Sequence, residues 1–195
     1  MIYSLFYEFS LIIIKIFSLF IPKIKRFLNT RNRILDDIKD FNKPKNDFVI
    51  WIHCSSMGEF EQIKPLLKKI KKSKPITEFI ITFFSESGFS SAKKFPDAKI
   101  ITYLPLDRKK ELTHFINKIK PKVLLLVKNE FWPNLIKCVH KADIKIFSIS
   151  STFRKSQMFF SFFSLGMVSV LKKINYFFVV NENDKLLLET LNISN

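Results

Sequence analysis

Two short segments each put one carboxylate where a helix should begin: WIHCSSMGEFEQ, residues 51 to 62, and NEFWPN, residues 129 to 134. A carboxylate within hydrogen-bond reach of a hydroxyl can take its proton as that oxygen attacks, so Glu59 and Glu130 are candidates for general-base chemistry. Two such groups at one crevice suit the task better than either alone. Glu59 has a competing duty, because Ser56-Met57-Gly58-Glu59 is an S-x-x-E capping box in which each side chain satisfies the other residue's backbone donor. From the residues alone the cap outweighs the base. Glu130 has a weaker competing duty as a first-turn carboxylate favoured by the helix dipole.

Other chemistries find no support in the residue pattern. The turn SSMGEF is not G-x-G-x-x-G, and Gly58, Gly88 and Gly166 are the only glycines, so no dinucleotide fingerprint or Walker loop is present. Cys54 and Cys138 give neither a disulfide framework nor metal-type spacing, and they point to a reducing compartment. His53 ends a buried strand and reads as a core or supporting residue, while His114 and His140 fall on helices among charged residues. No cofactor is called for. The aromatics fall mostly at strand and core-face positions, which argues against nucleic acid as a partner.

The elements that must position these residues follow from the hydrophobic pattern. Short apolar runs at 48–53, 78–84, 99–103, 123–127, 145–149 and 176–180 read as strands. Helical segments lie between them at 59–71, 89–95, 108–119, 133–141, 158–173 and 182–191. Near-continuous apolar strands alternating with helices predict a parallel sheet covered on both faces, a doubly wound, Rossmann-like α/β fold. In the first full helix, Phe60, Ile63, Leu66, Leu67 and Ile70 should form the buried face, with a kink at Pro65. The Phe-rich run from 158 to 171 reads as core rather than as a membrane-facing patch.

Ligands of open parallel sheets bind beyond the carboxyl ends of the strands, where strand order reverses. The loops to watch carry Ser55, Ser56, Gly58 and Glu59; Ser85, Glu86, Ser87 and Gly88; Asp107; Asn129 and Glu130; Ser150, Ser151 and Arg154; and Asn181. With strand order 3-2-1-4-5-6 the reversal lies between strands 1 and 4, and Glu59 and Glu130 should approach each other there.

The chain's 195 residues suit one sizeable domain plus an appendage. The appendage is residues 1–28, a mostly apolar helix with a trailing basic flank (Lys23, Lys25, Arg26), expected to attach to a membrane. Ser4, Glu8, Lys15 and Ser18 share one face of that helix. It should therefore lie in the interface with this stripe toward water, or span with the stripe against protein. Residues 29–47 read as a connector, and the globular domain should occupy 48–195. A formal net charge of +16, carried mainly by Lys, fits an anionic partner such as a membrane surface or a phosphorylated substrate, and equally a compositional bias.

Taken together, WIHCSSMGE, FFSESG, LPLD (104–107), NEFWPN and FFVVNENDKLLLETL resemble, in order and spacing, the segments of the 3-deoxy-D-manno-octulosonic acid (Kdo) transferases. The resemblance covers nearly the whole chain but only the family's N-terminal, acceptor-binding half. It implies a two-domain GT-B fold and a metal-independent, inverting glycosyltransferase that moves Kdo from the donor CMP-Kdo to the lipid A precursor lipid IVA at the cytoplasmic face of the inner membrane. By the same resemblance Glu59 matches the catalytic base and Glu130 a second functional carboxylate. Ser56 and Gly58 match the loop presenting the base, and Ser87 and Gly88 belong to a substrate-binding loop. Arg154, shifted from the family's usual pattern, is assigned to substrate phosphate, and Lys128 stands where many relatives carry another Glu.

The family's C-terminal domain, which binds CMP-Kdo, is expected to be missing after Asn195, so a separate donor-domain chain is an expected partner. The rival readings are a non-catalytic, membrane-attached module that binds lipid A, and a different GT-B glycosyltransferase with another membrane-linked acceptor.

Overall fold

Six apolar runs rich in Ile, Leu, Val and Phe can hide both sides of a strand only inside a parallel sheet covered twice. In the computed structural model, which describes residues 2–41, 48–157 and 165–193, they do so. The strands are β1 (Val49–Cys54), β2 (Glu78–Phe83), β3 (Ala98–Tyr103), β4 (Val123–Val127), β5 (Lys145–Ser151) and β6 (Tyr176–Val179). All pair in parallel, in the order β3-β2-β1-β4-β5-β6. The expected order therefore holds, with the reversal between β1 and β4.

The period-2 alternation of the strands sorts side chains onto two cores. Val49, Trp51, Ile80, Leu124, Leu126 and Ile146 face one side, beneath α6 (Lys109–Ile119) and α7 (Pro133–Lys141). Ile50, Ile52, Phe79, Ile81, Phe83 and Leu125 face the other, beneath α4 (Met57–Ser73) and α5 (Glu86–Ala92). In α4, Phe60, Ile63 and Leu67 are buried as the spacing requires, Ile70 is half-buried, and Leu66 is instead 38% exposed. The helix continues across Pro65. After β5 come α8 (Leu165–Leu171), β6 and α9 (Glu182–Thr190), whereas residues 158–164 of the Phe-rich run lie outside the described residues.

The amino-terminal region departs furthest from the sequence reading. Helices α2 (Pro22–Asn32) and α3 (Ile34–Asp37) run through much of the stretch read as basic flank and connector, and Ile34, Ile38 and Phe41 join the core above the sheet. The remaining part of that connector, 42–47, lies outside the described residues. Arg31 of α2 is buried against the rings of Phe27, Phe84 and Tyr103 and donates to the Phe84 carbonyl at 2.5 Å. Burial draws its guanidinium down to about 10.

Helix α1 (Ile2–Phe17) has 16 residues, about 24 Å of helix against a hydrocarbon core of about 30 Å. Among the described residues no helix is long and apolar enough to cross a membrane, so the spanning alternative is not met. The first half of the polar stripe turns inward: Ser4 donates to Asn134 (2.9 Å) and Glu8 pairs with Arg108 (2.8 Å), while the adjacent Tyr7 receives the N–H of Asp107 (3.0 Å) and Lys15 stays exposed. The apolar side faces outward, with Ile2, Leu5, Phe6, Phe9, Ile12 and Phe17 all more than half exposed.

Candidate active site

At the carboxyl end of β1 the chain turns sharply into α4, and the turn fixes Glu59. Ser56 is the N-cap, and its hydroxyl accepts the Glu59 N–H at 3.5 Å. The reciprocal half of the predicted capping box is absent, since Glu59 Oε2 accepts the N–H of Ser55 instead, one residue further back. The carboxylate thus folds toward the carboxyl end of the central strand β1, and Glu59 as a residue is only 9% exposed. Burial raises its pKa, the Ser55 N–H opposes that, and the nearby charge of Glu130 raises it further.

Glu130 arrives from the adjacent strand β4. Lys128 adopts a left-handed backbone (φ 60°) at the end of that strand, and Asn129 ties the following loop to Thr152 by two hydrogen bonds of 2.5 and 3.2 Å. Glu130 Oε2 accepts the indole N–H of Trp132 at 2.9 Å and lies 3.3 Å from Nε2 of the fully buried His53. That second contact is at ion-pair distance but off the line of a straight hydrogen bond, and it leaves Nε2 without an aligned partner. Burial alone would raise the Glu130 carboxyl. His53, Trp132 and Ser55 outweigh it, and the net pKa falls below the usual glutamate value.

The crevice therefore holds two carboxylates pushed in opposite directions, one kept ionised and one with raised proton affinity. An arrangement of that kind is chemically able to divide acid and base duties between two groups. Trp132 also stacks on Phe84 at 5.3 Å between ring centroids, which links the loop after β4 to the end of β2.

The other nominated residues divide by role. Gly88 is a packing position, because a Cβ there would lie 2.5 Å from a ring carbon of Phe83 and 3.1 Å from the Ser56 backbone. Its N–H meets the N-cap hydroxyl of Ser85, which in turn lies 3.2 Å from the exposed Ser87 hydroxyl. Gly58 is exposed and nothing lies within 4 Å of its Cβ position, so no protein atom demands glycine there. Arg154 sits in the exposed loop after β5, where its backbone N–H donates to Gln157 at 3.0 Å.

Three contributors carry no site role assigned from the sequence, although Asp107 stands in one of the loops to watch. His53 could have been suspected, because a buried ring at the reversal point needs partners for both nitrogens. Asp107 is 1% exposed and caps α7, its two oxygens accepting the N–H groups of Asn134 (3.1 Å) and Leu135 (2.8 Å). Asn134 returns a hydrogen bond from its side chain to the Asp107 carbonyl at 2.6 Å. This clasp sets the start of the helix that Glu130 and Trp132 lead into.

Residues 26–195 match the family described as 3-deoxy-D-manno-octulosonic-acid transferase (kdotransferase). A bifunctional glycosyltransferase/methyltransferase of Fusobacterium nucleatum is 36% identical over 167 residues, 84% of this chain and 25% of that protein. The 3-deoxy-D-manno-octulosonic acid transferases of Haemophilus influenzae and Aquifex aeolicus are 35% and 36% identical over 88 residues, 45% of this chain and 21% and 24% of theirs. The chain thus spans about a quarter of the length of these curated relatives.

Among solved structures, a UDP-N-acetylglucosamine 2-epimerase superposes with a TM-score of 0.57 at 13% identity, over 76% of this chain and 46% of that one. The Neisseria meningitidis UDP-GlcNAc 2-epimerase gives 0.55 at 12% identity, over 75% and 44%. At that identity the likeness concerns the fold alone, a six-stranded half of the GT-B kind.

Proposed function

This chain belongs to the 3-deoxy-D-manno-octulosonic-acid transferase family, and on that premise we propose that it supplies the acceptor-binding half of an inverting, metal-independent glycosyltransferase. The reaction moves Kdo from CMP-Kdo to a hydroxyl of lipid IVA. Glu59 takes the proton of the acceptor hydroxyl while that oxygen bonds to the anomeric carbon of Kdo. The bond from that carbon to the phosphate oxygen breaks, and its electron pair leaves with CMP.

The observation that carries this reading is the buried Glu59 carboxylate with raised proton affinity, beside an ionised Glu130 at the reversal point of the sheet. A base tuned upward is better matched to proton transfer near neutral pH. Oε2 is held by Ser55, and the open space around Gly58 gives an acceptor room to approach. The donor is proposed to bind on the family's other domain, so the assay supplies that domain, in the same chain or as a partner. Transfer of Kdo from CMP-Kdo to lipid IVA supports the proposal, and its absence under those conditions removes it.

The proposal extends to a setting at the cytoplasmic face of the inner membrane. The outward apolar side of α1, continued by Leu19 (78% exposed) and Phe20 (77%), suits insertion into a bilayer interface. Lys23, Lys25 and Arg26 on the adjoining helix suit anionic headgroups.

A second reading is transfer to a different membrane-linked acceptor. The longer match, over 84% of this chain against 45% for the Haemophilus and Aquifex transferases, is to a protein whose description as a bifunctional glycosyltransferase/methyltransferase names no acceptor. A panel of acceptors decides between the two, and preference for one other than lipid IVA selects the second.

A further inference from the structure

The ring of His53 is fully buried, and its Nδ1 lies 3.1 Å from both the backbone oxygen and the hydroxyl oxygen of Thr82. The carbonyl can only accept. The Thr82 hydroxyl spends its own proton on the Ile52 carbonyl at 3.3 Å and also accepts the Trp51 indole N–H at 2.9 Å, so it too presents only a lone pair to the ring. Facing two acceptors, Nδ1 must carry a hydrogen.

A neutral imidazole protonated at Nδ1 has a lone pair on Nε2, and that atom lies 3.3 Å from Glu130 Oε2. In a buried setting a lone pair against a carboxylate is repulsive, and a proton between them turns the contact into a charge-assisted one. We infer that His53 and Glu130 form a buried ion pair, the imidazolium carrying one hydrogen fixed on Thr82 at Nδ1 and a second on Nε2 at ion-pair distance from Oε2, and that His53 is the positioning residue that keeps Glu130 in place beside Glu59.

The surroundings agree. Glu59 from α4 interacts electrostatically with both members of the pair and with Lys128 from the end of β4, and the Cys54 thiol next along β1 feels the charges of Glu59 and Glu130. Burial pushes that thiol up, which keeps it neutral. Thr82 on β2 is held from β1, where His53 is its register partner and Trp51 and Ile52 bond its hydroxyl. The device therefore ties β2, β1 and the loop after β4 into one line that ends at the catalytic crevice. Its functional consequence rests on the reading of Glu130 proposed above, whereas the ion pair itself does not.

The test uses the chain with nitrogen-15 in its histidines and carbon-13 in its glutamate carboxyls. Nitrogen NMR of the folded chain should show hydrogens on both Nδ1 and Nε2 of His53. A bare Nδ1 or Nε2 overturns the inference. In His53→Asn, which cannot reach Glu130, the Glu130 carboxyl should titrate at higher pH than in the parent. In His53→Gln, whose amide can still donate to Oε2, most of that rise should be reversed. A Glu130 titration untouched in the Asn variant also overturns it, with amide spectra of both variants establishing that they fold.

In a transfer assay with the donor domain supplied, His53→Asn should lower kcat with little change in KM, and His53→Gln should recover part of it. No transfer by the parent protein, with the nitrogen and carboxyl results as expected, would leave the His53–Glu130 ion pair standing and remove only the proposed reaction.

Discussion

The N–H of Ser55 donates to Oε2 of Glu59, so the carboxylate reaches past the N-cap residue Ser56 and settles against the end of β1. An ordinary capping box would return it to Ser56, out on the helix surface. The difference matters because a cap and a base make opposite demands on the same group.

Stability against pH separates those demands. Burial first, and the Glu130 charge after it, raise the folded-state pKa of Glu59, with the Ser55 N–H opposing. A raised acid holds its proton more tightly folded than unfolded, so stability declines as pH climbs from the unfolded value through the folded one. Glu59→Gln should therefore match or exceed the parent's Tm at neutral pH. The gap should close as pH falls below the ordinary glutamate range. A variant clearly less stable at neutral pH would show the carboxylate to be a stabilising cap.

Glu130 should behave in the opposite sense. Its folded pKa is lowered, with the donors His53, Trp132 and Ser55 overcoming the effect of burial. Its contribution to stability is present above the unfolded pKa and is lost as pH falls through the lower folded value. Glu130→Gln should cost stability at neutral pH and little at the acidic end, as followed by thermal unfolding across pH.

Asp107→Ala should be among the costlier single changes near the site. It leaves two backbone N–H groups at the start of α7 without their acceptor, at about 1–3 kcal/mol for each such buried group. Asp107→Asn keeps one acceptor oxygen and should lose less. Denaturant unfolding of both variants checks the ranking, and equal losses would contradict it.

The two glycines of the site loops should respond differently to alanine. Gly88→Ala drives a methyl into Phe83 and the Ser56 backbone, and overpacking of that kind costs about 1–3 kcal/mol. Gly58→Ala meets no protein atom and should gain up to about 1 kcal/mol from helix propensity. If the open space serves the acceptor, Gly58→Ala should nevertheless bind lipid IVA more weakly. Binding as tight as the parent's would show that the space is not used.

Helix α1 offers a test of the membrane proposal. Phe6 and Phe9 are 70% and 60% exposed, so changing both to Ser should leave Tm nearly unchanged. Removing two such rings from a bilayer interface forfeits about 2 kcal/mol each, which is more than tenfold in partitioning for the pair. Co-flotation with vesicles containing anionic lipid measures it, and undiminished binding would place the membrane contact elsewhere.

Strand order and the meeting of Glu59 with Glu130 were legible in the sequence, because parallel strands announce themselves as apolar runs and the reversal point fixes which loops converge. Helices α2 and α3 were not. Their apolar residues Leu28, Ile34 and Ile38 are sparse among charges, and the polar tract after them suggested a connector. Leu66 was misplaced because it sits at the margin of the apolar stripe of α4. The inward turn of the α1 polar stripe depends on Asn134, Asp107 and Arg108, each about a hundred or more residues away, and no local pattern reports such partners. The Asp107 clasp joins residues 27 and 28 positions apart, and His53 meets Glu130 from the neighbouring strand, so neither contact shows in a local pattern either.

The most direct measurement is turnover of Kdo from CMP-Kdo to lipid IVA with the donor domain supplied, comparing the parent with Glu59→Gln. As the general base, Glu59 should contribute about 10²–10⁴-fold to kcat, and the variant should lose that factor while still folding and still binding lipid IVA. Turnover equal to the parent's would contradict the account and return Glu59 to the task of ordering the turn after β1.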